Sequence, residues 1–257
     1  MLVPYYQEDG ITLYNARCED VLPQISESFE LCVTSPPYNK SGFEGFIRTR
    51  HKDDAWSKRN IEYDKHEDFM DEDKYQMWQV ETLNMVADRL VDGGSVFYNH
   101  KVRVRDYICS FPTEWLCRTK MKIRQEIIWN RKSSPSVNNI RFLPSTEKLY
   151  WMFVGDKPRY FNPDCQRYAE VWDIPPEYGN EHPAPFPLVL AQRCIESCTV
   201  AGETVLDPFV GSGTTLLAAK RLGRKAIGIE ISEAYCKIAV QRLSQMEMFV
   251  ESNGHGA

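Results

Sequence analysis

The sequence has no apolar run approaching the roughly 20 residues that a membrane span requires. Its first residues, MLVPYYQEDG, have neither the basic start nor the apolar stretch of a secretory signal. There are eight cysteines but no CxxC pair of the zinc-binding kind, and a chain of 257 residues needs no disulfide framework. These absences predict a cytoplasmic protein with reduced thiols, no membrane partner and no metal site. Repeats and low-complexity tracts are also missing. Net charge is -5, a balance that argues against nucleic acid as a partner when taken over the whole chain.

Hydrophobic residues make up 42% and charged residues 26%, enough to pack a globular core. The charge is uneven. Positions 101 to 148 hold eleven Lys and Arg against four Asp and Glu. Such a stripe either binds phosphates or simply solvates helix and strand faces. The length fits one α/β domain over residues 1–257 with a small insertion.

Strands are predicted at Phe29 to Thr34, Ser95 to Tyr98, Glu126 to Trp129 and Lys148 to Val154. A helix is predicted from Asp73 to Val91, with Gln76, Val80, Leu83, Ala87 and Leu90 on one stripe and Asp92-Gly93-Gly94 as its stop. Residues 39–72 are polar and aperiodic, the pattern of a long mobile loop. Residues 155–184 look irregular, and a helix opens near Pro185 or Pro187. The clearest stretch is the last. Thr204 to Asp207 and Lys225 to Ile231 read as strands, each followed by a helix, at Thr214 to Leu222 and Ser232 to Leu243. That alternation is the unit of a parallel, doubly wound sheet.

Between the first of those strands and its helix lies Asp207-Pro208-Phe209-Val210-Gly211-Ser212-Gly213-Thr214-Thr215. Ligands of such sheets bind beyond the carboxyl ends of the strands. Gly211 and Gly213 would let the backbone approach a ligand, and the helix N-terminus offers free N–H groups. A phosphate loop needs Lys after the second glycine, where Thr214 stands. A dinucleotide fingerprint needs a third glycine, where Leu216 stands. What remains is an S-adenosylmethionine turn or a plain tight turn. Glu230 ends the next strand, where an acid can accept both hydrogen bonds of a ribose diol or merely close a strand.

Phe29 to Thr34 runs into Ser35-Pro36-Pro37-Tyr38-Asn39. This SPPY and the later DPFVGSGTT resemble the catalytic and cofactor motifs of the amino-methyltransferases of DNA. Their order, catalytic motif first, resembles the beta class, and the resemblance covers most of the chain. It implies a mostly parallel, seven-stranded, Rossmann-like sheet with a small inserted target-recognition region at residues 131–180. It implies S-adenosylmethionine as cofactor, bound by Asp207, Pro208, Phe209, Gly211, Ser212, Gly213, Thr214, Thr215 and Glu230, with Pro187 from a motif preceding the cofactor strand. His182 in that motif could equally cap a helix. It implies that Ser35 and the Pro36 carbonyl orient an exocyclic amine, that Pro37 stiffens the loop, and that Tyr38 stacks on a flipped base. The segment Ala16-Arg17-Cys18-Glu19-Asp20 departs from the family pattern, since Arg17 stands where an adenine-binding Asp is usual. Cys18, Glu19, Asp20 or the backbone then holds the adenine.

Ring-carbon cytosine methylation needs a Pro-Cys nucleophile, and the sequence has none. Serine at position 35 is commoner in cytosine-N4 enzymes of the family and Asp in adenine-N6 enzymes, so cytosine is favoured and adenine is the alternative. Protein glutamine methylation uses a related NPPY motif with the opposite motif order. A non-catalytic DNA- or cofactor-binding subunit is the remaining reading. The implied partner is duplex DNA with a flipped base, or single-stranded DNA. Arg131, Lys132, Ser133, Ser134, Asn138, Asn139 and Arg141 are candidates to meet it, and the loop with Arg48, Arg50, His51 and Lys52 would close over DNA or cofactor. A homodimer and a separate cognate restriction nuclease also follow from the resemblance.

Overall fold

The computed structural model describes residues 2–39, 70–105, 107–132, 142–177 and 186–253. A short hairpin opens the chain, β1 (Tyr6–Glu8) with β2 (Ile11–Asn15), turned by Gly10 at φ 76°. Then come α1 (Cys18–Val21), β3 (Phe29–Thr34) and α2 (Glu72–Ala87). β4 (Leu90–His100) follows, then a separate hairpin of β5 (Arg103–Arg105) and β6 (Ile108–Ser110). After α3 (Thr113–Leu116) lie β7 (Lys122–Asn130), β8 (Thr146–Phe153) and β9 (Val171–Asp173). The chain closes with α4 (Leu188–Cys198), β10 (Thr204–Asp207), α5 (Thr214–Arg221), β11 (Lys225–Glu230) and α6 (Glu233–Asn253).

One sheet runs in the order β1-β2-β11-β10-β3-β4-β8-β7-β9. From β2 through β4 every pairing is parallel, while β8 lies antiparallel to both β4 and β7. The seven expected strands are therefore joined by two more, β1 and β9, one at each margin. Both are three residues long, and short edges leave little open ladder for another chain to extend.

Helices cover both faces. Leu31, Val33, Val205 and Phe97 point to the side carrying α4, α5 and α6, where Leu190, Ile195, Leu216 and Ala239 are buried against them. Cys32, Leu206, Val96 and Tyr98 point to the side carrying α2 and α3, with Tyr75, Leu83, Val86 and Trp115. Successive strand residues face opposite sides of a sheet. These central strands therefore read as continuous apolar runs, not as alternating ones.

The crossover from β3 to β4 runs through α2 on one face, and that from β10 to β11 runs through α5 on the other. β3 and β10 are neighbours in the sheet. Their carboxyl ends thus flank the point where the winding reverses, which is where such folds hold ligands.

Three expectations need correction. The helix before β4 stops at Ala87, and Asp92-Gly93-Gly94 lies inside β4. Gly93 adopts φ 73°, and a Cβ there would come within 2.8 Å of the Lys157 carbonyl and 2.7 Å of the Arg159 nitrogen. The glycine pair serves a close crossing of chain segments and does not end a helix. The buried stripe of α2 keeps the expected Leu83 and Ala87 but otherwise runs through Tyr75, Gln79, Thr82 and Val86, where Gln76 and Val80 were expected. Tyr75 and Gln79 enter the interior because their polar ends find partners there, Pro37 and His100 for one and Tyr98 for the other. Finally, the stretch taken as irregular, 155–184, contributes β9 and a 3-10 turn at Pro163–Arg167.

The long loop expected at 39–72 lies outside the described residues except for Asn39 and 70–72. Asn39, at φ 53°, ties those ends together: its amide donates to the Met70 carbonyl at 2.9 Å and accepts from the Met70 N–H at 2.7 Å. The described part of the expected recognition segment, 131–180, contributes β8 and β9 to the main sheet, and Trp172 and Ile174 are buried in its core. Among the described residues no helix is long and apolar enough to cross a membrane.

Candidate active site

The Ser35 loop and the Gly211 loop leave adjacent parallel strands at the same end. Val205 pairs with Leu31 and Leu206 with Cys32, so Thr34 and Asp207 close their strands side by side. Thr34 Oγ1 donates to Asp207 Oδ1 at 2.9 Å, and the Phe209 N–H donates to the same oxygen at 3.0 Å. One buried carboxylate therefore couples the end of the SPPY strand to the first turn of the glycine loop.

The SPPY side is a closed polar network. The Ser35 and Tyr38 hydroxyls lie 2.9 Å apart, and both donate to Asn99 Oδ1, at 3.2 and 2.8 Å. Tyr38 also donates to Glu147 at 3.2 Å, and Glu147 pairs with Arg131 at 3.0 Å. Burial, reinforced by the Glu147 charge, lifts the Tyr38 phenol well above its ordinary range, so the phenol stays protonated and acts as a donor. Its ring is buried and tilted against His100, with centroids 4.5 Å apart. His100 and Asn99 are the last residues of β4, an apolar strand that turns polar where it reaches the cleft. Tyr75 Oη donates to the Pro37 carbonyl at 2.8 Å, which fixes the loop's far side.

The glycine-loop side is clamped from three directions. Gly211, at φ 53°, donates its N–H to Glu230 Oε2 at 2.8 Å, and Ser232 N–H donates to Glu230 Oε1 at 2.8 Å. Arg242 of α6 reaches the Ser212 carbonyl at 2.7 Å, Ser212 Oγ at 2.9 Å and Thr214 Oγ1 at 3.0 Å. Thr215 Oγ1 reaches back toward the Val33 carbonyl at 3.5 Å. Ser212, Thr214 and Thr215 thus hold the turn in shape with their side chains. Gly213 sits at φ 84° with the position of a Cβ 2.8 Å from Ala239 Cβ, so helix packing already demands glycine there. Pro208 is buried, and Phe209 is half-buried with its ring edge-on to Trp78 at 5.6 Å.

Trp78 donates from its indole to Glu19 at 2.5 Å, which sets Glu19 beside the Phe209 wall. Burial alone would raise the Glu19 carboxyl. Hydrogen bonds from its own backbone, Trp78 and Cys18, and the charge of Arg17, outweigh that and hold it below the usual range. Cys18 points into the core and donates to Glu19 at 3.4 Å, while Arg17 is half-exposed and pairs with Glu19 at 3.3 Å. Pro187 caps α4, its carbonyl accepting from Leu190 and Ala191. Residues 180–185 of the motif before it, including His182, lie outside the described residues, as do Arg48, Arg50, His51, Lys52, Ser133, Ser134, Asn138, Asn139 and Arg141.

Part of the basic stripe is paired within the chain, some of it at the surface. Arg103, Lys120, Lys122, Arg131, Lys132 and Lys148 each pair with an acid of the chain. Sequence reasoning did not single out Glu147, Tyr75, His100, Trp78 or Arg242. Only Asn99-His100, a polar pair closing an apolar strand, carried a local signal.

Asp207 and Glu230 are both buried, on neighbouring strands, and neither forms an ion pair among the described residues. Burial pushes the Asp207 carboxyl up to about 6 and raises Glu230 in the same direction. Two buried acids without a cation fit a ligand that brings an ammonium and a diol.

A mostly parallel, doubly wound sheet with these two loops at its switch point defines a Rossmann-like methyltransferase. The N6_N4_Mtase model of DNA methylases matches residues 29–241, and the chain belongs to that family. It is 28% identical to the type II methyltransferase M.ScaI of Streptomyces caespitosus over 93% of this chain and 83% of that protein. It is 29% identical to M2.LlaDCHI of Lactococcus lactis subsp. cremoris, over 95% and 93%, and 29% identical to the DNA adenine methyltransferase YhdJ of Escherichia coli K12, over 85% and 77%. The fold superposes on PvuII DNA methyltransferase (cytosine-N4-specific) with a TM-score of 0.74 at 22% identity, covering 93% of this chain and 88% of that one. It superposes on the M1.HpyAVI complex with S-adenosylmethionine with a TM-score of 0.62 at 22% identity, covering 91% and 100%.

Proposed function

We propose that this DNA methyltransferase moves a methyl group from S-adenosylmethionine to the exocyclic N4 amine of a cytosine turned out of its helix. The observation that carries the reading is the Thr34–Asp207 hydrogen bond, which joins the SPPY loop and the glycine loop at neighbouring strand ends. S-adenosylmethionine, when bound, supplies an electrophilic methyl on sulfur. Asp207 meets its ammonium, Glu230 its ribose diol, and Phe209 with Glu19 its adenine. Pro208, Gly211, Ser212, Gly213, Thr214, Thr215, Cys18 and Pro187 keep the shape of that pocket.

An exocyclic amine is a poor nucleophile because its lone pair is shared with the ring. Ser35 Oγ and the Pro36 carbonyl accept its hydrogens, which favours a pyramidal nitrogen and turns the lone pair toward the cofactor loop. Pro37 restricts the loop so that the Pro36 carbonyl keeps its aim. Asn99 and Tyr38 fix the Ser35 hydroxyl before the base arrives, and such preorganised polar groups act without rearranging during the reaction. Tyr38 lends its ring to the base. Serine at position 35 and the likeness to a cytosine-N4-specific fold support cytosine.

The likeness to an adenine methyltransferase of E. coli supports adenine N6 as the second reading. Modification-sensitive sequencing of DNA from cells expressing the protein separates the two. N4-methylcytosine in a fixed sequence context is the expected result. N6-methyladenine would replace the cytosine reading, and unmodified DNA would remove both.

A further inference from the structure

We propose that Tyr107, at the tip of the β5–β6 hairpin, is the wedge that fills the gap left in the duplex when the target base is withdrawn. The inference rests on the base-flipping reading above. The hairpin is too short to have a core of its own: Arg103 pairs with Ser110, Val104 with Cys109 and Arg105 with Ile108, and Tyr107 lies in the turn between the strands.

A two-residue hairpin turn calls for positive φ, and Gly, Asn or Asp normally supply it. Tyr107 stands there instead, at φ 65°. A bulky residue in the left-handed region is strained. Nothing in the described fold rewards the strain, because the side chain is 87% exposed. Ile108 beside it is 71% exposed, and Phe111 at the end of the hairpin 45%. Strain kept without a packing gain points to use outside the folded chain.

The root of the hairpin is held rigidly against the catalytic loop. Arg103 is buried, forks onto Glu72 at 2.8 and 2.6 Å, and lies over the Tyr75 ring at 4.3 Å and the Trp115 ring at 5.3 Å. Tyr75 is the residue that donates to the Pro37 carbonyl. His100, three positions before the hairpin begins, packs on Tyr38. Three extended residues then carry the chain roughly 10 Å from that root to the tip. A rigid arm of this reach, rooted beside the base-accepting loop and ending in an exposed aromatic ring, matches what an extruded base requires. The base leaves an unstacked gap, and an apolar or aromatic side chain inserted there restores stacking.

The test uses the full-length protein and oligonucleotide duplexes carrying the site mapped by sequencing. In one duplex the target base is paired. In the other it faces an abasic position, so extrusion is already cheap. Tyr107→Ala and Tyr107→Gly should lower kcat/KM on the paired duplex roughly tenfold to hundredfold, the range of one base–aromatic stack. On the abasic-opposed duplex both should stay near the wild-type value, and Tyr107→Trp should retain activity on both. Tyr107→Gly relieves the backbone strain, so its Tm should not fall, and misfolding is separated from loss of the wedge. Equal losses on the two duplexes, or no loss on the paired one, overturn the proposal. So does a change of oligomeric state in sedimentation velocity, which would assign the patch to a second copy of the chain. If the wild type methylates neither duplex, the base-flipping reading itself falls, and the wedge with it.

Discussion

Asp207→Asn should make the protein more stable and less able to bind its cofactor. Asp207 is fully enclosed and its carboxyl is raised from 3.8 to about 6, first by burial and also by the nearby Glu230 charge. A carboxyl raised in the fold favours folding only while protonated. As pH rises from about 4 to about 6 the unfolded chain releases its proton first, so stability falls across that window and stays lower above it. The separation corresponds to about 3 kcal/mol, at about 1.36 kcal/mol per tenfold in proton affinity. Asparagine keeps the oxygen that accepts from Thr34 and Phe209 but brings no charge. At pH 8 the variant should therefore gain up to about 3 kcal/mol, or about 6–12 °C in Tm for a chain of this size. The gain should shrink toward zero near pH 4. Removing the partner of the cofactor ammonium should weaken S-adenosylmethionine binding roughly tenfold to hundredfold. Urea denaturation from about pH 4 to about pH 8 and titration calorimetry at pH 8 measure the two effects. A variant that is less stable than the wild type at pH 8, or that binds the cofactor equally well, would refute the reasoning.

Other substitutions read different parts of the site. Ser35→Ala should lower kcat roughly a hundredfold or more with the cofactor dissociation constant unchanged, and single-turnover kinetics beside calorimetry would show whether the two separate. Trp78→Phe removes the hydrogen bond to Glu19 while keeping a ring near Phe209. Cofactor affinity should fall roughly threefold to tenfold with kcat at saturation preserved, and an unchanged dissociation constant would exclude Glu19 from the adenine pocket. Gly213→Ala places a methyl 2.8 Å from Ala239 at φ 84°. It should destabilise the fold by at least about 1 kcal/mol, read from the urea midpoint, before any effect on catalysis is considered.

The sequence was most legible where local rules and the fold agree. β3 and β10 were bounded correctly from apolar runs ending in Pro36 and Asp207, because a strand buried on both faces shows itself without knowledge of its neighbours. The first half of the α2 stripe was misread because Tyr75 and Gln79 carry polar ends whose partners lie outside the helix, while Leu83 and Ala87 are buried as expected. Gly93 and Gly94 were read as a helix stop because the chain that crosses them, at Lys157 and Arg159, is distant in sequence. The basic stripe looked free because its acidic partners, among them Glu72, Asp88, Asp156 and Asp173, fall mostly outside the window where it was counted.

Hydrophobic period, glycine turns and proline stops are properties of neighbouring residues, and they were enough to show the strand-helix alternation of a doubly wound sheet. The roles of the two motifs came from their resemblance to a known family. Tertiary structure alone decided that Thr34 touches Asp207, that Glu147 and Asn99 complete the Ser35 network, and that Arg242 braces the glycine loop. Those contacts join residues up to 173 positions apart. Which distant side chains meet depends on strand order and crossover side, and no local pattern encodes that choice.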